Sequence, residues 1–382
     1  MRTRMCRTTT PAGHDAWIVT DYDTVRDLLS DTRLGLTHKD PEQAARLSNS
    51  VIFGRPREPT PTDAQDHTRM RRLLGQRFSV RRLAAFEPRV RELVDGLLDE
   101  LAAASKPADF HRIVSFPLPA LVISDLLGVP FAHREQFRQW SDEAADMHDH
   151  ARSTHGCTEL EGYISDTVKQ RLREPGDDLL SDLVAAHRAE PEGFTLEKVI
   201  GLGMTLLFAG HETTVTAIDT GAVLLATNPG QRAVLGEAEQ LPDAVEEILR
   251  GSLPRANYFA TPEPDDIGGA LPRWANTDLE VGGVTIREGE MVLLGLAHAN
   301  VDEKFVGDYQ GFDVARHPNR HLTFGHGAHF CAGAPLARLE LQILFAGVVR
   351  RFPGFSLAVP VEELEPRADL LTGGLKSIPV TW

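Results

Sequence analysis

A long run of the chain, Leu196–Thr227, carries apolar residues at three- and four-residue spacing along its whole length. This spacing is typical of one face of an α-helix, so the run predicts a single long helix. The same periodicity predicts further helices over shorter runs elsewhere in the chain. These runs are residues 24–29, 69–78, 90–104, 119–127, 160–172, 179–187 and 243–250. The chain is therefore predicted to be mainly α.

Strand patterns are few. Residues 16–20 form one candidate strand, and residues 278–281 and 284–286 flank Gly282-Gly283, which predicts a hairpin with a two-glycine turn. The breaks between helices are all too short to be flexible linkers between domains. We therefore predict one mixed α+β domain over residues 1–382, mainly α with small sheets.

Charge and cysteine content narrow the function classes. The chain has 55 acidic and 40 basic residues and a formal net charge of −15, which disfavours a nucleic acid partner. Its three cysteines, Cys6, Cys157 and Cys331, form no C-x-x-C pair, which indicates a reducing, cytoplasmic setting.

The most apolar stretch, residues 199–209, is too short and too quickly followed by charge to span a bilayer. We expect no secretory signal and no membrane anchor.

Basic residues crowd one short stretch of this acidic chain. Such a run is either a solvated helix face or a positive patch that receives an acidic partner. The arginines of this stretch are Arg69, Arg71, Arg72, Arg77, Arg81 and Arg82.

One cysteine stands in a glycine-rich loop directly before an amphipathic run at residues 339–349. Gly325, Gly327 and Gly333 allow tight turns and the close approach of a flat ligand around Cys331. Backbone N–H groups at the start of the following helix are expected to face the sulfur and to stabilise a thiolate. A thiolate held in this way suits haem iron, and the alternative is a buried structural cysteine.

The spacing Phe324-x-x-Gly327-x-x-x-Cys331-x-Gly333 resembles the haem-binding signature of the cytochrome P450 family. The resemblance implies a P450-like helical body with haem b between the long central helix and the helix after the cysteine loop. It also implies that Cys331 is the axial ligand of the haem iron, and that Phe324, Gly327 and Gly333 shape the loop around it.

The long helix contains Ala209-Gly210-His211-Glu212-Thr213, with an acid and a hydroxyl in an otherwise apolar run. Burying such groups is costly, and the small pair Ala209-Gly210 allows the helix to open locally to a hydroxyl or a water. The residues alone leave open a proton path or a satisfied helix kink. The P450 resemblance implies that Thr213 positions water and that Glu212 supplies protons for oxygen activation, beside Ala209 and Gly210.

Glu247 and Arg250 lie three residues apart on one predicted helix face, where they can pair. By resemblance they form a structural lock beneath the haem with a third member, an arginine that precedes the cysteine loop. Gly311 stands where this arginine is expected. Arg316 or His317 is therefore the candidate substitute.

Several basic residues are haem-propionate ligands by resemblance. His67 and Arg71 are four residues apart and lie on one helix face, where both can donate to one anion. Such a pair alone favours a solvated face, and the resemblance reverses that preference. His329 and Arg273 complete the set implied by the resemblance. Arg255 competes with Arg273, because the segment between Arg250 and Arg273 is longer than the resemblance leads us to expect.

The resemblance implies a monooxygenase that inserts one oxygen atom from O2 into a small organic substrate by hydroxylation or epoxidation. It further implies electrons from NAD(P)H through a ferredoxin reductase and a ferredoxin, and a monomer. The substrate is expected to be a secondary metabolite such as a polyketide. The segment before the first strand is shorter than expected. Alternatives are a peroxide-driven haem enzyme and a non-catalytic haem-binding protein, and Glu212-Thr213 argues against both.

Overall fold

The structure, a computed structural model, describes residues 4–52, 54–130, 134–235, 240–253, 266–306 and 311–382. Its helices are α1 (Tyr22–Leu29), α2 (Asp63–Arg77), α3 (Val80–Ala103), α4 (Pro117–Leu127), α5 (Arg134–Ala144), α6 (His150–Arg173), α7 (Leu179–Ala189), α8 (Leu196–Thr227), α9 (Pro229–Val234), α10 (Leu241–Gly251), α11 (Leu296–Ala299), α12 (Glu303–Val306) and α13 (Ala334–Arg351). Its strands are β1 (Met5–Thr9), β2 (Asp15–Val19), β3 (Leu34–Gly35), β4 (Ala108–Asp109), β5 (Ala270–Ala275), β6 (Leu279–Val281), β7 (Val284–Ile286), β8 (Met291–Gly295), β9 (Ser356–Leu357) and β10 (Pro379–Thr381).

Each helix predicted from periodicity is present, and the mainly α prediction is confirmed. Several helices begin earlier than predicted because their first turns are polar and carry no apolar repeat. Thus α6 begins at His150, after Asp149 accepts a hydrogen bond from the backbone N–H of Arg152. Helix α5 escaped prediction because eight of the eleven residues in its sequence, REQFRQWSDEA, are polar.

Most of the sheet structure lies in one five-stranded sheet of order β1-β2-β8-β5-β3. β2 and β8 are parallel, and the other neighbouring strands are antiparallel. The predicted hairpin is present as β6 and β7, with Leu279 opposite Ile286 and positive φ at Gly282 and Gly283. β8 was not predicted, because it is buried throughout and shows no alternation of apolar and polar residues.

Helix α8 lies at the centre of the helical body and packs against α4, α6, α7, α10 and α13. At the crossing of α8 and α13 a Cβ on Gly221 would lie 2.2 Å from Cζ of Phe345, so only glycine permits this approach. This contact ties the long helix to the helix that follows the Cys331 loop. None of the helices in the described parts of the chain is long and apolar enough to cross a membrane.

The turn between α5 and α6 is tied to two distant segments by backbone hydrogen bonds. The N–H of Asn49 donates to the carbonyl of Met147 over 2.8 Å, and the N–H of Met147 donates to the carbonyl of Asp369 over 3.1 Å. The N–H of Leu371 in turn donates to the carbonyl of Ala145 over 3.1 Å. α5 and the segment around residues 367–375 are therefore held together.

Candidate active site

The Cys331 loop turns tightly before α13. The N–H of Cys331 donates to the carbonyl of Phe324 over 2.8 Å, and Gly325 and Gly327 both adopt a φ of 72°. The side chain of Cys331 is exposed, and its sulfur accepts hydrogen bonds from the backbone N–H groups of Gly333 and Ala334. The protein atoms packed around the sulfur nevertheless desolvate it and raise the pKa of the Cys331 thiol, and these two amides oppose the rise. The loop therefore presents one sulfur toward open space and supports its charged form from behind.

Thr213 lies on an exposed stripe of α8 that recurs every fourth residue, at Gly201, Thr205, Ala209 and Thr213. Its hydroxyl donates to the carbonyl of Ala209 over 2.8 Å, so the predicted bonding of a hydroxyl back onto the helix is present. Gly210 lies on the neighbouring face, where an added Cβ would lie 2.8 Å from Cδ1 of Ile123 on α4. Ala209 and Thr213 therefore face open space, while Gly210 allows close helix packing.

Glu212 points away from this exposed stripe, and its side chain is only 1 % exposed. Oε1 lies 3.2 Å from Nδ1 of His211, and Oε2 accepts a hydrogen bond of 3.1 Å from the Thr372 hydroxyl. Nη1 of Arg367 lies 4.0 Å from Oε2. Burial alone would raise the pKa of Glu212, but His211, Arg367 and Thr372 outweigh it and hold the pKa at about 2. Arg367 and Thr372 escaped sequence reasoning because they belong to no motif and lie far from Glu212 along the chain.

Four basic side chains gather beside the Cys331 loop. The rings of His67 and His329 lie 4.5 Å apart between centroids, and Nη1 of Arg71 donates to the carbonyl of Phe330 over 2.7 Å. Arg273 on β5 is buried and donates to the carbonyl of Pro272, and its burial lowers its pKa.

Burial and the charges of His67, Arg273 and Arg71 lower the pKa of His329, which shows that the four groups act on one another. Nε2 of His67 is buried without a hydrogen-bond partner. Within the described residues none of the four forms an ion pair with an acid. The group therefore suits an anionic ligand. The competing residue Arg255 lies outside the described residues.

The Glu247 side chain is fully buried and pairs with two arginines. Its Oε1 lies 2.6 Å from Nη2 of Arg250, and its Oε2 lies 3.1 Å from Nε of Arg316. Of the two candidate substitutes for the arginine missing at Gly311, Arg316 therefore takes the third place in this ionic group. Gly311 instead adopts a φ of 106°, which favours glycine. His317 pairs with Asp243 and does not reach Glu247.

A second acid on α10, the half-buried Glu246, was missed. Both of its oxygens accept hydrogen bonds from Arg338 on α13, and Oε2 also lies 3.1 Å from Nε2 of His321. Burial would raise the pKa of Glu246, but Arg338 and His321 outweigh it and hold the pKa at about 2. The Arg338 guanidinium lies 4.6 Å from the ring centroid of Phe324. Glu246 thus fastens both flanks of the Cys331 loop to α10.

The predicted arginine patch is largely neutralised by neighbouring acids. Arg69 pairs with Glu190 and Asp66, and Arg77 is buried against Asp182 and Asp177. Asp177 also pairs with Arg82, and Arg71 is occupied at the Phe330 carbonyl. Arg72 and Arg81 remain exposed and form no ion pair with the part of the chain that the structure describes. Of the two interpretations of this run, a solvated face paired with acids fits Arg69, Arg77 and Arg82, because tertiary contacts bring acids from α7 and its flanking loops onto them.

A family model described as cytochrome P450 matches residues 265–371. Pentalenolactone synthase from Streptomyces exfoliatus is 41% identical over 97% of this chain and 91% of its own length. The chain belongs to the cytochrome P450 family. Mycinamicin IV hydroxylase/epoxidase from Micromonospora griseorubida is 36% identical to this P450 over 97% of the chain and 91% of its own length.

Solved structures agree with this assignment over the whole fold. The pimaricin epoxidase PimD superimposes on this P450 with a TM-score of 0.83 at 36% identity and covers 100% of this chain and 93% of its own. The LnmA hydroxylase from Streptomyces atroolivaceus S-140 superimposes with a TM-score of 0.83 at 36% identity, and the match covers 99% of this chain and 93% of LnmA. The P450 fold is therefore confirmed. This P450 is a monooxygenase that uses haem iron.

Proposed function

We propose that Cys331 supplies the thiolate ligand of haem b in this P450. The observation that carries the proposal is the exposed Cys331 sulfur, which accepts two backbone hydrogen bonds at the start of α13. Such donors lower the cost of a thiolate, which is the form that binds iron. Phe324, Gly327 and Gly333 serve this arrangement by fixing the loop. A Cβ on Gly327 would lie 2.5 Å from Oγ of Ser30.

The basic group beside the loop fits the two propionates of haem. Arg273 is buried without an acidic partner among the described residues, and Nε2 of His67 is a buried donor or acceptor without a partner. Both features are costly unless a polar ligand satisfies them. We assign His67, Arg71, Arg273 and His329 to the propionates.

Bound haem supplies the oxygen-activating chemistry, and the residues of α8 manage protons beside it. Thr213 holds its hydroxyl proton toward the Ala209 carbonyl and lies on the exposed stripe, where that hydroxyl can instead bind water. Glu212, one residue earlier, keeps its carboxylate charged in the protein interior. We therefore assign Thr213 as the hydroxyl on the exposed stripe that binds water, and Glu212 as the buried acid behind it that supplies protons.

We infer that the substrate is a small hydrophobic secondary metabolite, such as a polyketide, that is hydroxylated or epoxidised. The support comes from relatives named for mycinamicin IV and 6-deoxyerythronolide B. The exposed stripe of α8 agrees with this inference, since Ala209 and Thr205 offer a small, weakly polar wall.

Electrons are proposed to come from NAD(P)H through a ferredoxin reductase and a ferredoxin. Arg72 and Arg81 are the exposed cations of the α2–α3 region that form no ion pair within the described residues, so they are the proposed contacts for an acidic ferredoxin. We also propose that this P450 is cytoplasmic and monomeric, which is compatible with electron supply by a ferredoxin.

The iron ligand is tested by the absorption spectrum of the reduced, carbon monoxide-bound protein. We expect the thiolate-type spectrum in the unmodified protein and in Cys6→Ser, and its loss in Cys331→Ser. A thiolate-type spectrum that persists in Cys331→Ser would overturn the assignment. Screening ligands for displacement of the iron-bound water in the same protein then tests the substrate class.

A further inference from the structure

Five ionisable side chains converge on the inner side of α8, behind the exposed stripe. We call them the Arg367 cluster: His111, Asp142, Glu212, Asp219 and Arg367. His111 lies on a π-helical turn, Asp142 on α5, Glu212 and Asp219 on α8, and Arg367 in the segment before β10. Four of the five side chains are at most 9 % exposed, and Asp142 is 26 % exposed. The interactions in the cluster are therefore weakly screened by water.

Arg367 is the one permanent cation of this cluster. It donates a hydrogen bond to Asp142, and its Nη1 lies 4.0 Å from Oε2 of Glu212. The Asp219 carboxylate also lies close enough to act on the Arg367 charge. Three carboxyl groups thus compete for one guanidinium.

Asp219 has a partner of its own. Nδ1 of His111 lies 3.0 Å and 3.1 Å from the two oxygens of Asp219, and the N–H of Leu375 donates to Oδ2 over 3.1 Å. Burial lowers the pKa of His111, but the Asp219 carboxylate outweighs burial and raises it. The close contact with Asp219 therefore favours the protonated form of His111.

Glu212 and Asp219 are also joined through one short segment of chain. The hydroxyl of Thr216 donates to the carbonyl of Thr372 over 2.9 Å, and the hydroxyl of Thr372 donates to Glu212 over 3.1 Å. The N–H of Leu375 reaches Asp219 from the same segment. Asp219 and Glu212 are therefore both anchored to the same short segment, residues 372–375.

Other ionisable groups face the cluster. Asp109 acts on His111, and Arg138 acts on Asp142. His211 lies beside Glu212, with Nδ1 3.2 Å from Oε1. None of these groups contacts Asp219 within the described residues, so His111 and Arg367 are the basic groups that act on it.

We propose that His111 is a positioning residue for Glu212: by neutralising Asp219 it leaves Arg367 to Glu212 and Asp142, and so sets the pH at which Glu212 takes up a proton. The proposal rests on the proposed role of Glu212 as the acid beside Thr213. Without the imidazolium, Asp219 competes for Arg367, and the charged form of Glu212 loses support.

Three variants test this proposal in the haem-loaded protein: His111→Gln, Asp219→Asn and the two combined. The readout is the infrared carboxyl band of Glu212 as a function of pH, identified as the band that Glu212→Gln removes. We expect His111→Gln to raise the pKa of Glu212 by about one unit, a tenfold change in its protonation equilibrium. The double variant removes both charges of the pair and is expected to return the pKa to within about half a unit of the unmodified value.

A purely structural role for His111 predicts a different pattern, in which the double variant is at least as perturbed as His111→Gln. That pattern, or an unshifted band in His111→Gln, would overturn the proposal. The infrared band is independent of turnover. If Glu212→Gln leaves the yield of product per NAD(P)H unchanged, the role of Glu212 fails, and the band still reports on His111.

A second measurement needs no substitution, and so remains informative if His111→Gln does not fold. Nitrogen NMR of the reduced, carbon monoxide-bound protein reports the protonation of the His111 ring, which is identified by its contact with Phe116. The ring centroids of His111 and Phe116 lie 6.5 Å apart. We expect both ring nitrogens to carry protons at neutral pH, and a neutral ring would overturn the proposal.

Discussion

Nε of Arg316 lies 3.1 Å from Oε2 of Glu247. This ion pair connects helix α10 to the loop that precedes the Cys331 segment. The same carboxylate holds Arg250 at 2.6 Å and accepts hydrogen bonds from the N–H of Asp313 and the side-chain amide of Asn319. A fully buried carboxylate with this many donors is stable only while all of them remain. The segment that leads to the Cys331 loop is therefore fixed by one acid on α10.

Replacing Arg316 with Gln is expected to destabilise the fold strongly. The substitution leaves part of the Glu247 charge unpaired in the interior, which costs roughly 3 to 5 kcal/mol. Chemical denaturation measures this loss. His317→Gln is the control, since His317 is 73% exposed in its pair with Asp243 and is expected to matter by less than about 1 kcal/mol. Equal losses in the two variants would contradict the role of Arg316.

Thr213→Ala is expected to divert electrons from product to peroxide. Removing the hydroxyl removes the group that holds water and a proton on the exposed stripe, and product formation should fall roughly 100-fold. Peroxide and product per NAD(P)H are measured together. Thr205→Ala is a matched control, because Thr205 lies on the same stripe and makes the same kind of bond, donating to the Gly201 carbonyl over 2.8 Å. Unchanged coupling in Thr213→Ala would favour the peroxide-driven alternative.

Arg273→Met is expected to have opposite effects with and without haem. In the haem-free protein Arg273 is a buried cation with no acidic partner among the described residues, so its removal should leave stability unchanged or raise it. In the haem-loaded protein the same change removes a propionate partner, and haem transfer to apomyoglobin should accelerate. A variant that retains haem as firmly as the unmodified protein would exclude Arg273 from the propionate set.

Glu246 makes stability depend on pH in the acid range. Its pKa in the folded protein is about 2, against an ordinary value of 4.5. Since the folded pKa is the lower one, the stabilisation is fully present above about 4.5 and is lost as pH falls toward 2. Glu246→Gln should therefore reduce stability at neutral pH by up to about 3 kcal/mol and flatten this acid dependence.

Denaturation curves across pH measure the Glu246 effect. The control is Glu87→Gln, which removes an exposed helical pair with Arg91 and should cost less than about 0.5 kcal/mol. An unchanged acid limb in Glu246→Gln would show that Arg338 and His321 do not hold the Glu246 charge.

Charge reversal at Arg72 is expected to slow reduction by an acidic ferredoxin, with the largest effect at low ionic strength, because exposed charges steer association. Stopped-flow reduction measures the rate. Arg173→Glu is the control, since Arg173 is likewise exposed but lies at the end of α6. An unchanged rate in Arg72→Glu removes this surface from the proposed electron path.

Local spacing was enough to predict much of the protein. The apolar repeat of Leu196–Thr227 predicted α8 with its observed bounds, and Gly282-Gly283 predicted the hairpin of β6 and β7. The spacing around Cys331 led to the family, because glycines and a cysteine at fixed intervals determine a loop by themselves. These features depend on residues close together in the chain, where steric and hydrogen-bonding preferences act without help from elsewhere.

The tertiary structure alone decided which charges meet. Arg316 takes the place expected at Gly311, acids from the α7 region neutralise most of the predicted arginine patch, and Arg367 lies beside Glu212 although 155 positions separate them. No local rule predicts such pairs, because the energy of an ion pair depends on burial and on the distance between atoms that only packing brings together. The sequence by itself determined the helices, the cysteine loop and the family, whereas the packed fold determined the electrostatic surroundings in which those residues work.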